Sequence, residues 1–392
     1  MVFDLQRARQ ETPGCEHRIH FNNAGSALPP QPVLDAVIAH LQLEAQIGGY
    51  EAAEQAHAAI EHTYDATARL IGCAREEIAL VESATQAWDR AFYAIPFKPG
   101  DRILTAMAEY ASNYIAYLQI AKKTGVTIEV IPNDEHGQLS IEALRQMLDE
   151  RVKLITITHV PTSGGLVNPA AEVGKIAREH GILYLLDACQ SVGQMPINVE
   201  TIGCDLLSAT GRKYLRGPRG TGFLYVRNSV LEQLEPPMLD MHSAAWTTSD
   251  SYEIRPDARR FESWESNLAA RIGLGVAIDY ALQWEIDKIW RRVRDLAYAL
   301  RTQLSPIPGV IVHDRGINQC GIVTFTVEGK DPGEIKRILA SQEINVTVSP
   351  RNSTLLDLTE RGLTTMVRAS VHYYNSEAEI EHFCQAIEIL AL

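Results

Sequence analysis

The chain has 392 residues, with 36 Lys and Arg against 49 Asp and Glu, for a formal net charge of −13. With 46% apolar and 22% charged residues it has the composition of a soluble globular protein, long enough for two or more domains. The acidic excess argues against a nucleic-acid backbone or an anionic membrane as main partner, and no apolar run approaches the roughly 18–20 residues of a bilayer span.

The opening MVFDLQRARQETPG lacks the apolar stretch of a signal peptide. The six cysteines are scattered without a C-x-x-C pair and read as reduced thiols, so the protein is expected in the cytoplasm. Along the chain, Pro32 suits a first helical turn, and Val33, Leu34, Val37, Ile38 and Leu41 follow at helical spacing. A second helix is expected from about Glu51 to Leu70, stopping near Gly72. From residue 78 the pattern changes: EEIALV, RILTA, TIEVI, VKLITIT, ILYLLD, DLLSA and GFLYV read as strands alternating with helices. VKLITIT and ILYLLD are almost wholly apolar, as strands covered on both faces should be, and Gly181 is placed to end the helix between them. This order predicts an α/β fold with a large, mostly parallel sheet flanked by helices.

Residues 236–263 are rich in Pro, Ser, Thr and Asp and read as a long loop over a site or an interface. Helices are expected at about 267–283 and 286–304, followed by strand, helix, strand, strand and helix in a small α+β domain. Ser376 and Glu379 form a capping box for the last helix. The expected division is a segment at 1–20, a large domain at 21–265, connecting helices at 266–290 and a small domain at 291–392.

Three elements carry chemistry. Asp187, in LLDACQSVG, ends a buried strand, where ligands of parallel α/β sheets collect. Lys213 follows the next strand, with Thr210 and Arg212 beside it, before a glycine-rich turn. Ser83, Ala84 and Thr85 open a helix directly after EEIALV, and free amides there suit a phosphate. Taken singly, these are a strand-end cap, a surface lysine and an ordinary N-cap. Taken together they match pyridoxal 5′-phosphate chemistry, in which the acid keeps the pyridine nitrogen protonated and the lysine forms the Schiff base. No H-E-x-x-H or Walker motif occurs, and no metal site is expected.

From HFNNAGSALPP to MVRASVHYYN the chain resembles the class V aminotransferase and cysteine desulfurase group of fold-type I pyridoxal-phosphate enzymes. The resemblance implies that Lys213 is the cofactor lysine, Asp187 the pyridine-nitrogen partner and Gln190 the partner of the phenolic oxygen. It places Ala84 and Thr85 on one side of the phosphate and Thr210 and Arg212 on the other. Tyr110 falls where relatives stack a His on the ring, and Thr162 where they carry an Asn near cofactor and substrate. Arg368 matches the arginine that grips the substrate carboxylate, with Asn23 and Asn352 also on the substrate side. RFESWESN implies a homodimer whose sites lie near the subunit interface.

The departures narrow the reaction. Desulfurases of this group use a loop cysteine to take sulfur, but NVTVSPRNSTLLD contains none, and Asn352 lies near the missing residue. The remaining cysteines fit buried packing. Tyr110 keeps an aromatic platform while removing an imidazole acid–base group, and as a catalytic candidate beside Lys213 and Asp187 it would act best as a proton donor, with stacking alone the alternative; Arg212 replaces a His common before the lysine. Glu265 stands where many relatives place a Thr against the neighbouring phosphate. The pattern most resembles members that break C–S bonds by β-elimination, the hercynylcysteine sulfoxide lyase type among them. An aminotransferase is the alternative, then a racemase or epimerase, and outside catalysis a silent partner protein of the same fold. His242, Trp246, Tyr252, Arg255 and Trp264 are expected to shape the substrate pocket.

Overall fold

The computed structural model describes residues 3–392. Its centre is a seven-stranded sheet of β1 (Ile78–Val81), β2 (Arg102–Ala106), β3 (Thr127–Ile131), β4 (Val152–Thr158), β5 (Leu183–Asp187), β6 (Leu206–Thr210) and β7 (Gly222–Val226). The order across the sheet is β1-β7-β6-β5-β4-β2-β3. All pairs are parallel except those of β7, which runs antiparallel to both neighbours. The link from β6 to β7 contains no helix, and a parallel return would need a crossover.

Alternation along the strands feeds two cores. Leu154, Leu183, Leu185 and Leu206 pack with Trp88 and Phe92 of α3 (Ala84–Tyr93) and Tyr117 of α4 (Ala111–Thr124). Ile155, Ile157, Tyr184 and Leu186 face the other way, onto α2 (His57–Ile71), α5 (Ala170–His180) and α6 (Leu268–Gln283). That is why these strands read as continuous apolar runs. α6 also packs on α1 (Gln31–Ile47). The single helix expected over 51–70 is broken at Ala56 into Gly49–Gln55 and α2; only Ala52 of the first piece is buried, so packing does not hold the two in line.

The second unit is an antiparallel sheet of β8 (Val310–Val312), β9 (Ile322–Val327), β10 (Thr347–Pro350) and β11 (Thr365–Ser370), in the order β8-β9-β11-β10. α7 (Ile286–Leu304), α8 (Pro332–Ser341) and α9 (Glu377–Ala391) pack on it, and Ser376 and Glu379 form the capping box of α9. α7 is continuous through residue 290, so the expected boundary there falls inside a helix. The incoming chain also belongs to this unit: Ile19 and His20 pair in parallel with Ile344 and Asn345, and Asn22 bridges Ser370. The expected start of the large domain at residue 21 is corrected accordingly.

Candidate active site

At the carboxyl ends of the parallel strands lies a cavity with about 540 Å³ of empty space. Its walls come from separate elements: Ser83, Ala84 and Thr85 at the start of α3, Tyr110 and Asn113 at α4, Thr158, Val160 and Thr162 at the end of β4 and beyond, Asp187, Cys189 and Gln190 at the end of β5 and beyond, and Thr210, Arg212 and Lys213 at the end of β6 and beyond. Strand ends supply these residues because each β-strand stops there and its following turn is free to project side chains.

The first wall is a helix N-terminus. Ser83 caps α3, accepting from the Gln86 N–H at 3.2 Å, and Ala84 and Thr85, whose amides come before the first intrahelical donor, line the cavity. Gly222 allows the sheet to approach this terminus: a Cβ there would lie 2.7 Å from both the Ser83 carbonyl carbon and the Ala209 oxygen.

Asp187 is buried at the end of β5, accepting from Asn113 Nδ2 at 3.0 Å and from the Cys189 N–H at 2.9 Å. Burial raises its pKa, against the hydrogen bonds of Asn113 and Cys189 and the charge of Lys213. Lys213 has its pKa lowered, first by burial and then by the charges of Arg212 and Arg368, with Cys189 and Asp187 opposing. A lysine so placed has a larger neutral fraction, the form that attacks carbonyls and accepts protons. Arg212 is tied to the carbonyl of Gly25, and Thr210 Oγ1 donates to the Thr221 carbonyl at 3.2 Å.

Gln190 Nε2 donates to the Ala24 carbonyl at 3.1 Å and to Thr162 Oγ1 at 3.3 Å, and its buried Oε1 has no partner among the described residues. Arg368, on β11, donates from Nη1 to the Thr162 carbonyl at 3.1 Å and to Thr162 Oγ1 at 2.5 Å. Its buried Nε has no partner among the described residues, and burial pushes its pKa down to about 10.

Several expected residues lie elsewhere. Asn23 is fully buried, but its amide donates to the carbonyls of His20 and Ser370 and to Asn375 Oδ1, and accepts from Tyr374. It pins the incoming chain to the small unit and has nothing left for a substrate. Asn352 is exposed in a short 3-10 turn, away from the cavity walls. The loop at 236–263 forms a hairpin of Ala244–Thr248 and Ser251–Ile254, with Trp246 82% exposed, and does not line the cavity. The base of that loop is held at the β1 edge by buried Glu262, which accepts from Tyr64, the Leu80 N–H, His242 and Arg271. Arg255 pairs with Asp257, while Trp264 and Glu265 line a surface groove with Tyr50.

Cys189 is not in core packing as expected. It forms part of the cavity wall within hydrogen-bonding reach of Lys213, and burial raises its pKa although Lys213 opposes this. Cys320 and Cys384 are buried. Asn113 and Glu109 were also missed; only their spacing of four at the start of α4 hinted that they act together. Among the described residues no group of three or more His, Cys, Asp or Glu could hold a metal ion, and no helix is long and apolar enough to cross a membrane.

Comparison with known proteins bears on the family and the fold. A curated relative from Methanothermobacter thermautotrophicus, named probable cysteine desulfurase, is 29% identical over 100% of this chain and 99% of its own. One from Xylella fastidiosa with the same name is 31% identical, covering 98% and 95%. The apo structure of a cysteine desulfurase from Thermococcus onnurineus superposes with a TM-score of 0.93 at 28% identity, covering 100% of this chain and 98% of that one. A cystine C–S lyase shares the fold with a TM-score of 0.85 at 22% identity, covering 96% and 99%. The family model for aminotransferase class V matches residues 19–383, and the chain therefore belongs to that family of pyridoxal-phosphate-dependent enzymes.

Proposed function

We propose that the protein binds pyridoxal 5′-phosphate in this cavity and removes a sulfur substituent from Cβ of a cysteine-derived amino acid by β-elimination, without a cysteine of its own in the chemistry. The residues fit the cofactor. A buried carboxylate, a depressed lysine, a helix N-terminus and a buried amide oxygen with no partner converge on one space. The phosphate would rest on the amides of Ala84 and Thr85 with Thr210 and Arg212 opposite, and the ring against Tyr110.

When bound, the cofactor supplies an electron sink that stabilises negative charge at Cα. Asp187 holds a proton at the ring nitrogen, and Thr162 fixes the guanidinium of Arg368 so that its Nε edge receives the substrate carboxylate. Lys213 Nζ takes the Cα proton. The thiol or sulfenate leaves from Cβ, and the released 2-aminoacrylate hydrolyses to pyruvate and ammonia.

The observation that carries this reading is the placement of thiols. A persulfide step needs a thiolate. The segment over 345–357 has none, and the thiol in the cavity wall, Cys189, has its pKa raised by burial beside Lys213. The test is to supply S-substituted cysteines and their sulfoxides and measure pyruvate. Stoichiometric keto-acid exchange without pyruvate would establish transamination instead. We further infer a homodimer: Tyr50 and Trp264 are exposed around one groove, and light scattering at monomer mass would refute it.

A further inference from the structure

Behind Asp187 lies a second buried carboxylate that the mechanism above does not use. Glu109 is 3% exposed and is surrounded by donors. Its Oε1 accepts from the Tyr110 N–H at 2.7 Å, from Asn113 Nδ2 at 2.9 Å and from Thr158 Oγ1. Its Oε2 accepts from Thr105 Oγ1 at 2.9 Å and Tyr117 at 3.2 Å. Burial and the charge of Asp187 push the Glu109 pKa up, and the hydrogen bonds of Thr158, Asn113 and the Tyr110 N–H oppose this; five donors on two oxygens suit the ionised carboxylate, which accepts only. The NH₂ of Asn113 lies between two carboxylates, 2.9 Å from Glu109 and 3.0 Å from Asp187.

We propose that Glu109 is a positioning residue: through Asn113 it fixes Asp187 and adds a second negative charge behind it, and through the Tyr110 N–H it sets the ring platform. This deepens the proposed function and rests on pyridoxal phosphate occupying the cavity. A buried anion behind Asp187 raises the proton affinity of whatever Asp187 holds, as nearby like charges do for any acid. The titratable groups facing this pair are Tyr117 on α4, against Glu109, and Cys189 after β5 and Lys213 after β6, against Asp187, with Arg212 and Arg368 acting on Lys213 in turn. Since Arg212, Lys213 and Arg368 gather cations, the second anion also balances them.

Glu109→Gln separates charge from shape. Its amide oxygen can stay with the three donors on the Oε1 side, while its NH₂ donates to the hydroxyls of Thr105 and Tyr117, which can reverse. The fold should survive. Wild-type protein loaded with pyridoxal phosphate is titrated by its visible spectrum, and apo-protein is titrated with the cofactor. Glu109→Gln should move the spectral midpoint down by about one pH unit. It should also weaken cofactor binding several-fold while leaving the apo-protein melting temperature unchanged or higher. Asn113→Ala, which breaks the bridge, should weaken binding too, and the double variant should fall short of the sum. Midpoints matching wild type in both variants, or a loss confined to the melting temperature, overturns the proposal. Wild-type protein that takes up no cofactor overturns the functional reading itself, so the two failures are distinguishable.

Discussion

Replacing Arg368 by Lys tests the substrate end of the site. The guanidinium is committed at one edge, where Nη1 donates to the carbonyl and hydroxyl of Thr162, and open at Nε. An arginine can therefore be anchored and still offer a fork to a carboxylate, whereas a lysine ammonium must divide one centre between both tasks. Losing one charge-assisted hydrogen bond costs about 1.5–3 kcal/mol, a roughly ten- to hundredfold fall in kcat/KM. The surroundings add a pH signature. Burial brings Arg368 down from the ordinary guanidinium range to about 10. A lysine starts lower, near 10.4, and the same burial would lower it further, so the variant should lose affinity at a lower pH than wild type. The assay is kcat/KM against pH for a substrate and its α-carboxamide. The penalty should nearly vanish for the amide, which has no anion to grip. An equal penalty on both substrates, or a loss below about threefold, would refute the carboxylate role.

Lys213→Ala should remove the visible absorbance of protein supplied with cofactor; retention of the colour would mean that another amine carries it. Gly222→Ala places a methyl 2.7 Å from backbone at the start of α3, where nothing flexible can yield. The strain of about 1–3 kcal/mol should appear as weaker cofactor binding by apo-protein, and unchanged affinity would remove α3 from the phosphate site. For Glu262, burial opposes ionisation, but His242, Arg271, the Leu80 N–H and Tyr64 outweigh it and hold the pKa below the usual range. A depressed carboxylate stabilises the fold above its unfolded value, about 4.3, and loses that contribution as pH falls through its folded one. Glu262→Gln should therefore melt earlier at neutral pH and show a flatter acid limb below pH ~4.5; parallel curves for the two proteins would refute this.

What could be read in the residues depended on how local the signal was. The strands around Asp187 and Lys213 were visible because burial on both faces leaves continuous apolar runs, and the α3 N-terminus because Ser83 directly follows one. The same locality separated the two halves of the last domain correctly into strand and helix. Asn23 and Asn352 were misplaced because nothing nearby in sequence tells whether an amide is spent on Ser370 or left on the surface. The hairpin at 244–254 was assigned to the pocket for its aromatics, and only the path fixed by Glu262 shows that it leaves the cavity. Glu109 passes for a surface acid until its five donors are assembled from β2, β4 and α4.

The pairing of residues 19–22 with the far end of the chain sets an order on biosynthesis. Phe21 is fully buried, its ring centroid 5.2 Å from that of Phe383, and the Ala24 N–H donates to Ser370 Oγ at 2.9 Å. None of these partners exists until the ribosome has passed residues 344 to 383. The seven-stranded sheet can assemble earlier, since its strands end at Val226. The incoming stretch carries the Ala24 carbonyl that holds Gln190 against the cavity. This part of the cavity wall therefore depends on contacts with Ser370 and Phe383, made well after the strands of the large sheet in chain order.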